Sequence, residues 1–185
     1  MRPIIAAVVC IALASCGSGS GANEQSPSPP AKRAAASTIS LTSEAFAEGQ
    51  PIPARFTCDG INRSPALAWT EPPAGTKSFA LVVGDPDAPS GTFRHWGAFD
   101  IPNSARGIGA GQQVGTQVQN DMGKPGYGGP CPPKGHGPHH YHFKLFALDV
   151  DKLGLSPNAK VADVENAAQR HAITRGELVG TFERK

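Results

Sequence analysis

Three runs of apolar residues have the length and spacing of buried β-strands. The run at residues 77–84 is continuous and contains two adjacent valines, a pattern typical of a strand buried on both faces. Residues 93–101 alternate more loosely, and residues 141–150 form a third strand. Shorter strands are predicted at residues 39–42, 66–69, 113–118 and 178–183.

One segment has helical periodicity instead. Between residues 161 and 174, Val161, Val164, Ala168 and Ala172 recur on one stripe, and Gly176 is placed to end the helix. Proline-rich stretches separate the strands from one another. Seven or so short strands with one or two helices predict a mostly β domain whose strands are mainly antiparallel.

Composition supports this class and narrows the function. Glycine and proline contribute 22 and 18 of the 185 residues, an excess that favours turns and loops over a helical bundle. The formal net charge is only +2, so no broad electrostatic field favours nucleic acid as a partner. With 39% hydrophobic residues, the chain is neither disordered nor a multi-span membrane protein.

The N-terminus has the pattern of a secretory signal. Its apolar run at residues 4–13 is too short to cross a hydrocarbon core of about 30 Å. The next residues, Leu-Ala-Ser-Cys at 13–16, resemble the bacterial lipobox, which implies removal of residues 1–15 and lipidation of Cys16. An ordinary signal peptide or a short buried apolar segment are the alternatives.

A tether and a folded domain are predicted to follow. Residues 16–37 are rich in glycine, serine and proline, which predicts a flexible linker after the lipidated cysteine. Residues 38–185 are then one folded domain. This organisation predicts a protein of the bacterial cell envelope, anchored by lipid on the extracytoplasmic side of a membrane.

Cys58 and Cys131 are the two cysteines left in the predicted domain. In an exported protein such a pair favours one disulfide. Two buried free thiols, or half of a metal site, are the alternatives.

Acidic and imidazole groups lie around the turn between the first two long strands. Asp85 and Asp87 follow the strand at 77–84, and His95 lies at the start of the next strand. If the strands are antiparallel neighbours, His95 returns beside Asp85, where a carboxylate would raise the pKa of the imidazole. The alternative is a turn in which the aspartates only accept hydrogen bonds from backbone amides.

Four histidines follow a glycine- and proline-rich loop. They are His136, His139, His140 and His142. Strand alternation puts His139 on one face, together with Tyr141, and His140 and His142 on the other, so the four histidines cannot all meet one ion. Imidazolium and phenol groups at the start of a strand can donate hydrogen bonds to phosphate oxygens. The sequence therefore predicts a small anion site.

These stretches together resemble the phosphatidylethanolamine-binding protein family, in its bacterial Raf kinase inhibitor-like branch. The resemblance rests on Asp-Pro-Asp-Ala-Pro-Ser at 85–90, His95-Trp96 and the histidine loop at 129–141, and on the segments at 56–69, 73–78 and 176–184. It implies an antiparallel Greek-key β-sandwich with a small anion pocket at one end. The implied pocket residues are Asp85, Asp87, His95, Pro133, His139 and Tyr141.

The resemblance also implies a cis peptide bond before Pro89. Eukaryotic members close the pocket with a C-terminal helix that has no counterpart after residue 184 here, so a more open pocket is expected.

The predicted function is binding of a small anionic ligand, such as phosphate or a phospholipid head group, or modulation of an extracytoplasmic protein. No cofactor is predicted, and the oligomeric state is open. The alternative is an enzyme, either of the hydrolase type or dependent on a metal held by Asp85, His95 and His139. Against it, no Gly-x-Ser-x-Gly or phosphate-binding glycine-loop motif is present.

Overall fold

The structure is a computed structural model that describes residues 38–156 and 158–185. The predicted signal peptide, Cys16 and the linker to residue 37 lie outside those residues. The described part contains eight strands, one α-helix and a 3-10 turn at Ala54–Phe56. In chain order these are β1 (Leu41–Thr42), β2 (Leu67–Trp69), β3 (Ser78–Asp85), β4 (Phe93–Pro102), β5 (Gly107–Ile108), β6 (Thr116–Gln117), β7 (His139–Leu148), α1 (Val161–His171) and β8 (Ala172–Phe182).

The prediction of a mostly β fold is confirmed. The strands form two antiparallel sheets, one in the order β1-β2-β5 and the other in the order β6-β4-β3-β7-β8. All eight residues of β3 are buried, which confirms that this strand is covered on both faces. The continuous apolar run in the sequence reflects that double burial.

The main core lies between the two sheets. Phe79, Leu81 and Val83 of β3 point into it, as do Phe143 and Leu145 of β7. The smaller sheet contributes a second set of core residues, among which the Trp69 ring meets the Phe79 ring edge-on, with 5.4 Å between centroids.

Helix α1 covers the other face of the larger sheet. Val161, Val164 and Ala168 pack with Ala80 and Val82 of β3 in a second core. At the start of the helix, Asp163 accepts a hydrogen bond of 2.9 Å from the Lys160 amide. An acidic residue in the first turn stabilises a helix in this way because it pairs a backbone N–H that has no partner within the helix. In the described residues no helix is long and apolar enough to cross a bilayer.

The predicted end of this helix is wrong. Helix α1 stops at His171, and Ala172, which was placed on the helical stripe, is the first residue of β8. Gly176 lies within β8, opposite Leu145 of β7. A Cβ atom there would lie 2.6 Å from the Ile39 carbonyl oxygen, so this glycine permits close approach of backbone and ends no helix.

Other boundaries shift because tertiary pairing decides them. Strand β8 starts six residues before the predicted 178, since its early, mostly exposed residues pair with the end of β7. Strand β7 starts at His139, opposite Phe182, and β6 retains two of the six residues predicted at 113–118. The short strand β5 was not predicted and is held by pairing with β2.

The cis peptide bond implied before Pro89 is also wrong. Every peptide bond in the described residues is trans. The loop reverses with Gly91 at a φ of 92°, and the Gly91 amide donates a 3.0 Å hydrogen bond to the Ala88 carbonyl. Glycine adopts this left-handed conformation readily, so the turn is made without a cis proline.

Candidate functional site

Adjacent strands bring the predicted site residues to one end of the larger sheet. Strands β3 and β7 are antiparallel, so Asp85 at the end of β3 lies near the start of β7. Alternation places Asp85 on the same face as Val83, and His139 and Tyr141 on the same face as Phe143. All of these side chains therefore meet on the face that looks into the sandwich.

A β-bulge adds His95 to this group. Val83 pairs with Trp96 and Gly84 pairs with Arg94, so β4 has one extra residue, His95, at this point. As a result His95 and Trp96 are consecutive and both buried, instead of alternating between faces. The His95 ring meets the Tyr141 ring edge-on, with 5.2 Å between centroids.

Asp85, His95 and His139 border a cavity of about 420 Å³. Its polar part consists mainly of Asp85, His95 and His139, each no more than 3% exposed. Its remaining wall is largely apolar and includes exposed prolines at the mouth. Those wall residues are Ala88, Pro89, Phe93, Met122, Pro132 and Pro133, with Asn62, Gly129 and the disulfide of Cys58 and Cys131.

Asp85 and His139 form a buried hydrogen-bonded pair. The His139 Nδ1–H donates to Asp85 Oδ2 at 2.8 Å, and the Asp87 amide donates to Asp85 Oδ1 at 2.9 Å. The carboxylate was expected beside His95, but its direct partner is His139. This arrangement fixes the tautomer and the orientation of the His139 ring.

His95 has a different hydrogen-bond partner. Its Nδ1–H donates to the Gly128 carbonyl at 2.9 Å. Burial lowers the pKa of His95, although the Gly128 carbonyl and the Asp85 carboxylate act in the opposite direction. The expectation of a raised pKa is wrong for this histidine, since desolvation outweighs the carboxylate. The neutral ring then carries a lone pair on Nε2.

Tyr141 packs against His95 but is not among the residues that line the cavity. Its hydroxyl is buried without a hydrogen-bond partner in the described residues. Burial and the nearby Asp85 carboxylate raise the pKa of the Tyr141 phenol above its ordinary value, so the group stays neutral.

Asp87 is in the loop but does not line the cavity. Its Oδ2 accepts hydrogen bonds from the His140 amide at 2.8 Å and from His140 Nδ1 at 2.7 Å. The hydrogen bond from His140 lowers the pKa of this half-exposed carboxyl. Each aspartate thus also accepts a hydrogen bond from a backbone amide, as the turn interpretation predicted. Of the six implied residues, four line the cavity: Asp85, His95, Pro133 and His139.

Sequence reasoning did not single out His136. Its Nδ1 lies 2.8 Å from His139 Nε2, so a chain of hydrogen bonds runs from an exposed imidazole to the buried carboxylate of Asp85. The only indication of this contact in the sequence was the spacing of three residues between His136 and His139. His142 is on the outer face, bonded to Glu177 at 2.7 Å.

The predicted disulfide joins Cys58 to Cys131 in the cavity wall. Next to it the Cys58 amide donates to the Pro130 carbonyl at 3.0 Å, and the Gly129 amide donates to Asn62 Oδ1 at 2.7 Å. The loop before β7 is therefore tied to the segment after the 3-10 turn. Within the described residues, no three histidine, cysteine or acidic side chains are arranged to hold a metal ion.

Comparisons with known proteins agree with this fold. A family model described as phosphatidylethanolamine-binding protein matches residues 42–183. The UPF0098 protein of Aquifex aeolicus is 43% identical over 157 residues, covering 82% of this chain and 92% of that protein. LppC of Mycobacterium tuberculosis, which its name describes as a candidate lipoprotein, is 43% identical over 151 residues, covering 80% of this chain and 74% of its own.

A solved structure has the same architecture. The crystal structure of YbcL from Escherichia coli, described as a new member of the mammalian PEBP family, superposes with a TM-score of 0.76. The two are 34% identical, and the match covers 80% of this chain and all of that one.

Proposed function

Because the chain belongs to the phosphatidylethanolamine-binding protein family, we propose that its cavity binds a small phosphate-like anionic group. The observation that carries the proposal is the convergence of Asp85, His95 and His139, all buried, on one preformed cavity. Polar groups gathered in an otherwise apolar cavity are the usual mark of a small-ligand site.

The charges of these groups define what kind of anion fits. Asp85 alone would repel an anion, but its carboxylate is occupied by the His139 imidazole and the Asp87 amide. His95 has its one neutral N–H on the Gly128 carbonyl. It therefore contacts an anion either as an imidazolium that donates from Nε2–H, or as a neutral ring whose Nε2 accepts a hydrogen bond from a phosphate hydroxyl. In both cases binding takes up a proton from solution or retains one on the ligand.

The apolar mouth favours a substituted anion over a bare one. Pro89, Met122 and Pro133 are exposed around the entrance, where they can contact the organic part of a phosphate ester. A phospholipid head group and a soluble phosphomonoester share this chemistry.

We further propose that the protein is anchored in the bacterial envelope through Cys16. The support is the lipobox at residues 13–16 and the name of the mycobacterial relative. Modulation of an extracytoplasmic protein stays a prediction.

Calorimetry with phosphate and phosphoethanolamine at about pH 5.5 and about pH 8 tests the binding proposal. We expect tighter binding at the lower pH, weaker binding by a His95→Gln variant, and wild-type behaviour from His142→Ala, whose side chain bonds Glu177 on the outer face. Absence of binding at both pH values, or affinity that rises with pH, would refute the proposal.

A second candidate function is acid–base catalysis, favoured by the buried Asp85–His139 pair, which resembles the carboxylate–imidazole arrangement of many hydrolases. The same phosphoethanolamine samples distinguish the two functions. In ³¹P NMR spectra the ester signal stays intact if the site only binds, and free phosphate accumulates if the protein hydrolyses it.

A further inference from the structure

Both ring nitrogens of His139 already have partners. Nδ1 donates to Asp85 Oδ2 at 2.8 Å, and Nε2 is 2.8 Å from His136 Nδ1. When His139 is neutral, its Nε2 accepts a hydrogen bond from His136 Nδ1–H; when His139 is an imidazolium, its Nε2–H donates to His136 Nδ1. In either protonation state, His136 occupies the one position from which His139 can donate to a ligand in the cavity.

The surroundings of His136 allow its side chain to leave that position. It is exposed, and it lies between Gly135 and Gly137, which have φ values of 72° and 84°. A Cβ atom added at either glycine would meet nothing within 4 Å, so the space beside both glycines is open. The loop backbone itself is held, since the Gly135 amide donates to the Arg184 carbonyl at 3.0 Å and the His136 amide donates to the Pro133 carbonyl at 3.2 Å. The movement required is therefore that of the His136 side chain. His139 is only 2% exposed and is fixed by Asp85, so the movable partner of the pair is His136.

We infer that His136 is an internal competitor for the ligand site: its imidazole occupies His139 Nε2 and is displaced when an anionic group binds. The inference rests on the proposed function, because it concerns the same cavity. It also adds a specificity element, since only a group able to replace the imidazole as hydrogen-bond partner of His139 gains that contact.

The alternative reading of the same contact has the opposite consequence. If His136 instead donated to the ligand together with His139, its removal would weaken binding. The sign of the change on mutation therefore decides between competitor and ligand-binding residue, and no structural role of an exposed loop residue predicts tighter binding.

The experiment compares phosphoethanolamine affinity of the full chain as wild type, His136→Ala and His142→Ala at about pH 5.5. We expect His136→Ala to bind about fivefold more tightly, the equilibrium effect of one ordinary net hydrogen bond that no longer has to be broken. His142→Ala is the matched control, because it also removes an imidazole from this region, but one bonded to Glu177.

A second measurement follows the displaced ring directly. The ¹⁵N shifts of the His136 ring are expected to move toward free-imidazole values as phosphoethanolamine is added. Unchanged or weaker binding by His136→Ala, or a His136 ring that keeps its partner in the complex, overturns the inference while wild-type binding upholds the proposed function. If neither wild type nor His136→Ala binds, both are refuted.

Discussion

Breaking the disulfide between Cys58 and Cys131 tests how much this cross-link stabilises the folded domain. The bridge closes a loop of 73 residues that includes β2 to β6. Cys58 is half-buried and Cys131 is exposed, so replacing both with serine leaves no buried cavity of any size. The main consequence is therefore greater freedom of the unfolded chain.

The magnitude follows from the loop length. Chain-entropy theory for a separation of 73 residues gives a loss of about 4 kcal/mol in the free energy of unfolding. With a urea dependence of about 2 kcal/mol/M, the unfolding midpoint should fall by about 2 M. Fluorescence of the buried Trp69 and Trp96 reports the transition.

Two features of the data check the mechanism. The dependence on urea should become steeper in Cys58→Ser/Cys131→Ser, because an unfolded chain without the cross-link exposes more surface. Each single serine variant should lose about as much as the double variant, since either one removes the bridge. A loss below about 1 kcal/mol, with an unchanged slope, would show that the cross-link does not restrict the unfolded state as this reasoning requires.

Three further predictions concern stability. Asp85→Ala should lower the free energy of unfolding by about 3 kcal/mol or more because it leaves His139 without its buried partner. Asp87→Ala, which breaks an exposed pair with His140, should cost less than about 1 kcal/mol, and similar losses in urea titrations of the two variants would contradict the assignment. Because the pKa of His95 is lowered in the folded state, the unfolded state binds the proton more readily. The contribution of neutral His95 to the free energy of unfolding should therefore be complete above about pH 6.5 and decrease on acidification. His95→Gln should flatten that fall between about pH 7 and about pH 5, and an equally steep curve would argue against it. Gly176→Ala should destabilise the domain by about 2 kcal/mol, because its Cβ would collide with the Ile39 carbonyl, and an unchanged thermal midpoint would refute this.

The elements that the sequence predicted well are those whose burial follows directly from their pattern of apolar residues. Strand β3 is apolar on both faces because it lies between two cores, and the continuous run at 77–84 reports that directly. The start of β8 has no such sign, since its first residues are mostly exposed and become a strand by pairing with β7. Gly176 shows the same limit: glycine is consistent with a helix end or a close backbone approach, and only the neighbouring chain decides.

The site divides in the same way. Alternation along β7 was enough to expect His139 and Tyr141 on a common face. Asp85 was joined to them only by the family resemblance. The position of His95 depends on an extra residue in β4, which changes which side of the sheet it faces, and no local pattern encodes the bulge. Asp87 is two residues after Asp85, but the chain has left the strand there, so its side chain turns to His140 on the outside.

The two histidines of this cavity, His95 and His139, differ chemically because they have different hydrogen-bond partners. These partners set the direction in which anion affinity changes with pH. His95 donates its Nδ1–H to the Gly128 carbonyl and His139 donates its Nδ1–H to the Asp85 carboxylate, so neither ring has an unused N–H when it is neutral. A hydrogen bond between an anion and either ring therefore needs a further proton, either on the imidazole, which then donates, or on the ligand, which then donates to the ring nitrogen. For uptake of one proton, affinity changes by at most about tenfold per pH unit. A steeper dependence would mean that both histidines are protonated on binding, and a flat one would mean that the anion is held by backbone amides alone.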